Sequence, residues 1–195
     1  MSLGVSDVAD RGGESRVRTG LKGRRFRKAA LLVLVLFVVV VVDRWEQARE
    51  FHAVLIHEER AEARMDATLA KMTDTARKSH CGRNDCWNRL AVRLRIYSSQ
   101  AEVVARENND VLEEITVVPW HGQTRAARDA YVEAGRAQAA YFERLVERAS
   151  VGAMGRVSHG EATAAYAKAN RRLRGALPLH ATSKDRHRVS ALGPG

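Results

Sequence analysis

The hydrophobic pattern of this chain begins with an unbroken apolar run. Ala29 to Val42 are fourteen residues without a polar side-chain atom, bounded by Lys28 and Asp43. The run is shorter than the about 20 residues that a membrane-spanning helix needs, but flanking basic side chains can extend to the headgroups. A cleaved signal peptide and a buried core segment are the alternatives. We predict an uncleaved transmembrane signal anchor over residues 29–45.

The charge distribution predicts a topology for this anchor. Residues 1–28 carry eight Lys or Arg and three Asp or Glu, in a chain of net charge +10. Because basic flanks stay on the cytoplasmic side, we expect a single-pass cell-membrane protein with a cytoplasmic N-terminus and an extracytoplasmic C-terminal domain. The glycine-rich arm, 1–28, is expected to be disordered. Its basic cluster is expected to attract anionic lipid heads: Arg24, Arg25, Arg27 and Lys28.

Beyond the run, apolar residues recur at helical spacing. One stripe continues at steps of three and four from Phe51 to Ala76. A second pattern is a heptad seam of about four heptads, typical of coiled coils and bundles. Its members are Trp87, Leu90, Leu94, Tyr97, Ala101, Val104, Asn108, Val111, Ile115 and Val118. Pro119 is expected to end this second helix.

Two more helices complete the predicted bundle. One is expected from Thr124 to Ala149, and a shorter one from Gly160 to Arg174, opened by a capping box at Ser158 and Glu161. The predicted fold class is therefore all-α. The transmembrane helix continues into an extracytoplasmic up-and-down bundle of three long helices and one shorter helix, 46–175, followed by a disordered tail, 176–195.

The two cysteines flank a predicted turn. Cys81 and Cys86 bracket Gly-Arg-Asn-Asp, at the point where the first helix must turn into the second. Outside the cytoplasm such a pair forms a disulfide. A zinc site with His80 would need a second pair of ligands that the sequence lacks, and free thiols are the third alternative. We predict a disulfide.

Three polar residues fall within otherwise apolar stripes. Glu58 interrupts the first stripe. It is a functional carboxylate in the core, the partner of an Arg such as Arg93 or Arg95, or a residue at the edge of the stripe; we favour the edge. Asn108 either sets the register of the seam or lies at its solvated edge. Gln138 lies on the expected buried face of the third helix. These three are candidate register or pocket residues.

The loop PWHGQT carries the remaining candidates. Trp120 and His121, beside Gly122, either line a small pocket or form a tight turn whose Trp covers the end of the bundle. We favour the turn. Neither a phosphate-binding loop nor a nucleophile elbow is present in the sequence, so we predict no catalytic residue, cofactor or metal.

Three functions are compatible with these patterns. The favoured one is a membrane-anchored helical interaction or scaffold domain with a protein partner or a homodimer. The second is a small extracytoplasmic ligand-binding protein or enzyme, which requires Glu58, Asn108 and Gln138 to converge on one pocket. The third is a basic cytoplasmic protein that binds nucleic acid, with the apolar run buried; we expect no nucleic-acid partner.

Overall fold

The structure, a computed structural model, describes residues 18–192, with side chains from residue 28 onward. Within that range all regular structure is helical, which confirms the all-α prediction and the helical bundle. The helices are α1 (Arg18–Lys78), α2 (Asn84–Glu114), α3 (Gly122–Val146), α4 (Val151–Met154), α5 (Gly160–Gly175) and α6 (Ser183–Ala191). The chain divides into two units, Met1–Arg44 and Trp45–Gly195.

The apolar run of the first unit does not form the predicted membrane anchor. Its large side chains, from Leu31 to Val42, are 48% to 66% exposed along α1. Among the described residues, no helix is long and apolar enough to cross a membrane. The prediction of an anchor at 29–45, and with it the single-pass cell-membrane location, is therefore wrong. Fourteen helical residues cover only about 21 Å of a hydrocarbon core of about 30 Å, and charges begin directly at both ends of the run.

The predicted disordered arm falls mostly outside the described residues. Only residues 18–28 are described, and α1 already begins at Arg18. The basic cluster at Arg24, Arg25 and Arg27 precedes the residues whose side chains the structure describes, so its attraction to anionic lipid heads stays a prediction.

Two clusters of buried side chains form the core of the second unit. The first draws on α1, α2, α3, α5 and α6: Phe51, Leu55, Leu112, Tyr131, Leu173 and Val189. The second draws on α1, α2, α3 and α4: Met65, Leu90, Leu94, Phe142, Leu145 and Met154. Each fully buried Leu or Phe contributes roughly 1.5 to 3 kcal/mol, so these clusters hold the helices together.

The heptad seam of α2 packs inside the chain's own core. Leu90, Leu94 and Ala101 are buried, and Asn108 is 9% exposed. Three apolar seam positions are therefore buried within the chain itself, whereas Trp87 and Val111 at the same seam are exposed. The expected protein partner or homodimer, and the expected lack of a nucleic-acid partner, stay predictions.

Helix α2 ends at Glu114, four residues before the predicted end at Val118. Ile115 is already extended, with φ −66° and ψ 107°. Side chains replace the helical hydrogen bonds in this segment: Arg128 Nη1 donates to the Ile115 carbonyl at 2.8 Å, and Val118 N donates to Glu50 Oε1 at 2.8 Å. Tertiary partners thus end the helix before Pro119 does.

The C-terminal segment contains structure where we expect none. Helix α6 lies within the predicted tail, 176–195, and opens with a capping box between Thr182 and Asp185. Val189 is buried in the first core cluster, and Arg188 donates to both carboxylate oxygens of Glu59. Few apolar residues mark this helix in the sequence, so its docking depends on polar contacts that the hydrophobic pattern does not reveal.

The start of α5 also differs from its predicted cap. His159, rather than Ser158, is the N-cap residue, and it makes no side-chain capping bond. The Ser158 hydroxyl instead accepts a hydrogen bond from Gly160 N at 3.2 Å. The predicted capping box with Glu161 is therefore not formed.

The disulfide prediction is confirmed. The Sγ atoms of Cys81 and Cys86 lie 1.99 Å apart, at disulfide-bond distance, and the bond closes the turn between α1 and α2. His80 is exposed and lies near the Lys78 carbonyl, at 3.2 Å. The zinc alternative is therefore not supported.

Removing the disulfide should lower stability modestly. Because the closed loop is short, the double variant Cys81→Ser/Cys86→Ser should lose about 2 kcal/mol of unfolding free energy. Urea unfolding followed by circular dichroism measures this difference, with reduced wild type as the control. An unchanged midpoint in both samples would show that the bond does not constrain the unfolded chain.

Candidate ligand-binding site

A pocket of about 360 Å³ lies between α1, α2, α3 and α5 of the second unit. This volume is within the range of small-molecule sites, about 300 to 1,000 Å³. Successive turns of α1 form one wall, because residues three and four apart share a helix face. The apolar part of the lining is Ala61, Met65 and Leu69 from this face, joined by Leu192 from beyond α6.

Two tyrosines form the opposite wall. Tyr131 on α3 donates a hydrogen bond to Asn170 Oδ1 at 2.6 Å, and Tyr166 on α5 donates to Gln138 Oε1 at 2.9 Å. The two rings lie 6.4 Å apart between centroids, inclined by 59°. Each bond crosses between α3 and α5, so together they fix both rings and both amides at the pocket.

Asn108 connects this pocket to α2. Its side-chain oxygen accepts a hydrogen bond from Arg64 Nη1 at 2.9 Å, and its amide group donates weakly to the Ala61 carbonyl at 3.4 Å. Arg64 also donates to Glu107 at 2.6 Å. Asn108 is thus not at a solvated edge: it joins α2 to α1 and lines the pocket.

Glu58 is buried at the pocket wall, not at the edge of its stripe. Its side chain is 6% exposed. Among the described residues, no hydrogen bond or ion pair reaches its carboxyl group, and neither Arg93 nor Arg95 pairs with it. Desolvation, followed by the negative charge of Glu62, raises the pKa of Glu58 to about 8. The acid is therefore mainly protonated at neutral pH while the pocket is empty.

Polar groups also mark the solvent side of the pocket. Glu62, Asp66 and His159 line it and are exposed. The His159 ring lies 4.5 Å from the Tyr141 ring between centroids, and desolvation lowers its pKa. Because these residues face water, the pocket is accessible from the surface between α1 and the start of α5.

Trp120 and His121 lie outside this pocket. His121 is 4% exposed, and its Nδ1 donates to Glu50 Oε2 at 2.5 Å. The other Glu50 oxygen accepts a hydrogen bond from Val118 N. One carboxylate on α1 therefore contacts both Val118 and His121. Trp120 is 72% exposed. The segment forms a turn, but the predicted cover of the bundle end by Trp120 is wrong: Trp120 is exposed, and His121 is the buried residue.

The structure thus brings Glu58, Asn108 and Gln138 to one pocket and leaves the PWHGQT loop apart. Sequence reasoning missed Tyr166 and Asn170. Both lie on one face of the fourth predicted helix, four residues apart, and that spacing was the available signal. The pairing of this face with α3 depends on how the helices are aligned, which no spacing within one helix determines.

The carboxylates of the pocket are spread along α1 rather than gathered. Across residues 18–192, no group of three or more His, Cys, Asp or Glu side chains is placed to hold a metal ion. Glu58, Glu62 and Asp66 follow at steps of four, so consecutive carboxylates start about 6 Å apart along the helix.

Comparison of the chain with protein-family models, with curated proteins and with solved structures found no match in any of the three. The functional conclusion therefore rests on the geometry of the pocket.

Replacing the buried acid should change how stability depends on pH. The folded-state pKa of Glu58, about 8, exceeds the usual 4.5, so the unfolded chain releases this proton first as pH rises. Wild type should therefore lose stability relative to Glu58→Gln, by about 1.4 kcal/mol per pH unit and about 3 kcal/mol in total between pH 4.5 and 7. Urea unfolding at several pH values measures this difference.

The matched control for this test is Glu147→Gln, the same substitution at an exposed position. Its stability difference from wild type should stay nearly constant over the same pH range. A flat difference for Glu58→Gln as well would mean that Glu58 ionises normally in the folded protein.

Proposed function

We propose that this protein binds a small molecule in the pocket between α1, α2, α3 and α5. The main support for this proposal is that Glu58, Asn108 and Gln138, from three different helices, line one pocket. Sequence reasoning identified this convergence as the requirement for a ligand-binding bundle. It favours ligand binding over a purely structural scaffold.

The polar lining is difficult to explain by folding alone. Protein interiors are close-packed, and an unfilled space costs stability in proportion to its volume. A protonated acid without a hydrogen-bond partner adds a further cost, since buried polar groups are normally paired. Replacing Glu58 by an apolar side chain that fills the space would remove both costs. Features that reduce stability in this way are typical of functional sites.

The walls around this space are held in place before any ligand arrives. Tyr131 and Tyr166 are each tied to an amide on the neighbouring helix, and Asn108 is tied to Arg64. A pocket whose polar groups are already fixed loses little conformational entropy when it binds a ligand. Its arrangement therefore suits specific recognition of one small molecule.

Filling the pocket should abolish binding. Thr163 lines the pocket on α5 and is partly buried, so Thr163→Trp places an indole in the space. We expect at least one compound from a panel of cationic, neutral and anionic small molecules to bind wild type saturably with one-site stoichiometry. The same compound should not bind Thr163→Trp. Thermal shift identifies the compound, and isothermal titration calorimetry measures its affinity.

Two further variants make this test decisive. Arg172→Trp introduces the same side chain at an exposed position of α5 and should bind like wild type. Leu69→Trp fills the pocket from the α1 wall and should behave like Thr163→Trp, which covers the case in which one filled variant fails to fold. Equal binding by all variants, or no binding compound in the panel, would contradict the proposal.

A further inference from the structure

The charge of the pocket is opposite to that of the protein. The chain has 33 Lys and Arg against 23 Asp and Glu. The described residues that line the pocket nevertheless include Glu58, Glu62 and Asp66 and no Lys or Arg. A ligand with a negative charge would meet the acids of Glu58, Glu62 and Asp66 on the lining, while the nearby Arg64 is already hydrogen-bonded to Asn108 and Glu107. The electrostatic environment therefore favours a positively charged ligand.

Such a ligand would provide the partner that the Glu58 carboxyl group lacks. Its carboxyl group lines the pocket, is 6% exposed and has no hydrogen-bond or ion-pair partner among the described residues. A buried carboxylate becomes stable when an opposite charge lies within hydrogen-bond distance. An ammonium group supplies both the charge and the N–H donors that the site lacks.

The aromatic wall fits the same chemistry. The hydroxyl groups of Tyr131 and Tyr166 donate to amide oxygens, so their remaining lone pairs accept hydrogen bonds from a ligand. Their ring faces carry negative electrostatic potential, which attracts a cation. Beyond them, Met65, Leu69 and Leu192 offer contact to a hydrocarbon group.

A bare metal ion does not fit this lining. No group of three ligating side chains is placed for a metal within the part of the chain that the structure describes. A volume of about 360 Å³ with an apolar side also exceeds what an ion needs. The lining is complementary to a molecule that has one cationic end and one apolar end.

We propose that the pocket binds an organic cation, an alkyl- or arylammonium compound, with Glu58 as its counter-charge and Tyr131 and Tyr166 beside the ammonium group. This assignment rests on the proposed function and adds the chemical class of the ligand.

Binding of such a cation should depend on pH through Glu58. The lining groups that face it are Glu62 and Asp66 on α1, Tyr131 on α3, and Tyr166 with His159 at α5; from α2 the described lining includes the uncharged Asn108. Two cations lie beside this lining: Arg64, which donates to Asn108, and Arg174, whose charge acts on Tyr131. Desolvation raises the pKa of both tyrosines and lowers that of His159, so these three stay neutral from pH 7 to 8.

The direction of this dependence follows from the protonated state of Glu58 in the empty pocket. With the pKa of Glu58 at about 8, a ligand that stays cationic over this range must displace the proton at lower pH. Its affinity should therefore rise about tenfold per pH unit between pH 6 and 7 and level off above pH 8.

The test compares three compounds that share one aromatic body: benzylammonium, which carries both the charge and the N–H donors, benzyl alcohol and benzoate. Isothermal titration calorimetry on the full chain at pH 8 should give at least tenfold tighter binding for the cation than for the other two. Glu58→Gln should lose at least tenfold in affinity for the cation only. Glu147→Gln, an exposed carboxylate, should bind like wild type. Calorimetry in buffers of different ionisation enthalpy should also show that wild type releases a proton when it binds the cation at pH 7. This measurement requires no variant.

The outcomes separate the two proposals. Binding of benzyl alcohol or benzoate as tightly as the cation, blocked by Thr163→Trp, would overturn the cation assignment and leave the ligand-binding function intact. Unchanged cation affinity in Glu58→Gln would overturn the role of Glu58 and with it the assignment. If neither these compounds nor the wider panel bind, both proposals fail.

Discussion

Burial of one helical stripe of α1 is the constraint on which the bundle depends. Phe51, Val54 and Leu55 are fully buried in the first core cluster, and Met65 belongs to the second. Because a helix repeats its direction every three to four residues, burying these positions also carries Glu58 into the interior. The bundle cannot cover the apolar stripe of α1 without also covering this carboxyl group.

The remainder of the pocket accommodates that buried acid without neutralising it by an ion pair. The neighbouring helices contribute amides and tyrosines, and these satisfy one another rather than Glu58. The result is a fixed polar wall around a protonated acid, with a carboxylate-lined opening on one side. Such a site sacrifices stability and retains the capacity to pair with a charge from outside, which is a recurrent property of binding sites.

The fold was predictable wherever one helix face carried the information. The stripe of α1 and part of the seam of α2 follow from spacing, and the turn at Cys81 follows from its residue types; the disulfide was inferred from a location that the structure does not support. The pairing between helices could not be predicted from one face. Tyr166 and Gln138 meet because of the alignment of α5 and α3. Helix α6 escaped detection because polar contacts such as Arg188 with Glu59 hold it. The apolar run was predicted as an anchor because its basic flanks were expected to extend it to the headgroups, but no described helix is long and apolar enough to cross a membrane.

In the proposed mode of binding, Glu58 stays protonated in the pocket until a cation pairs with it. A ¹³C nuclear magnetic resonance titration of the glutamate carboxyl groups, assigned with Glu58→Gln, measures its pKa directly. In the ligand-free protein the Glu58 resonance should titrate near pH 8. Saturation with benzylammonium should move this midpoint down by at least one pH unit. A midpoint near 4.5 in the ligand-free protein would contradict the account.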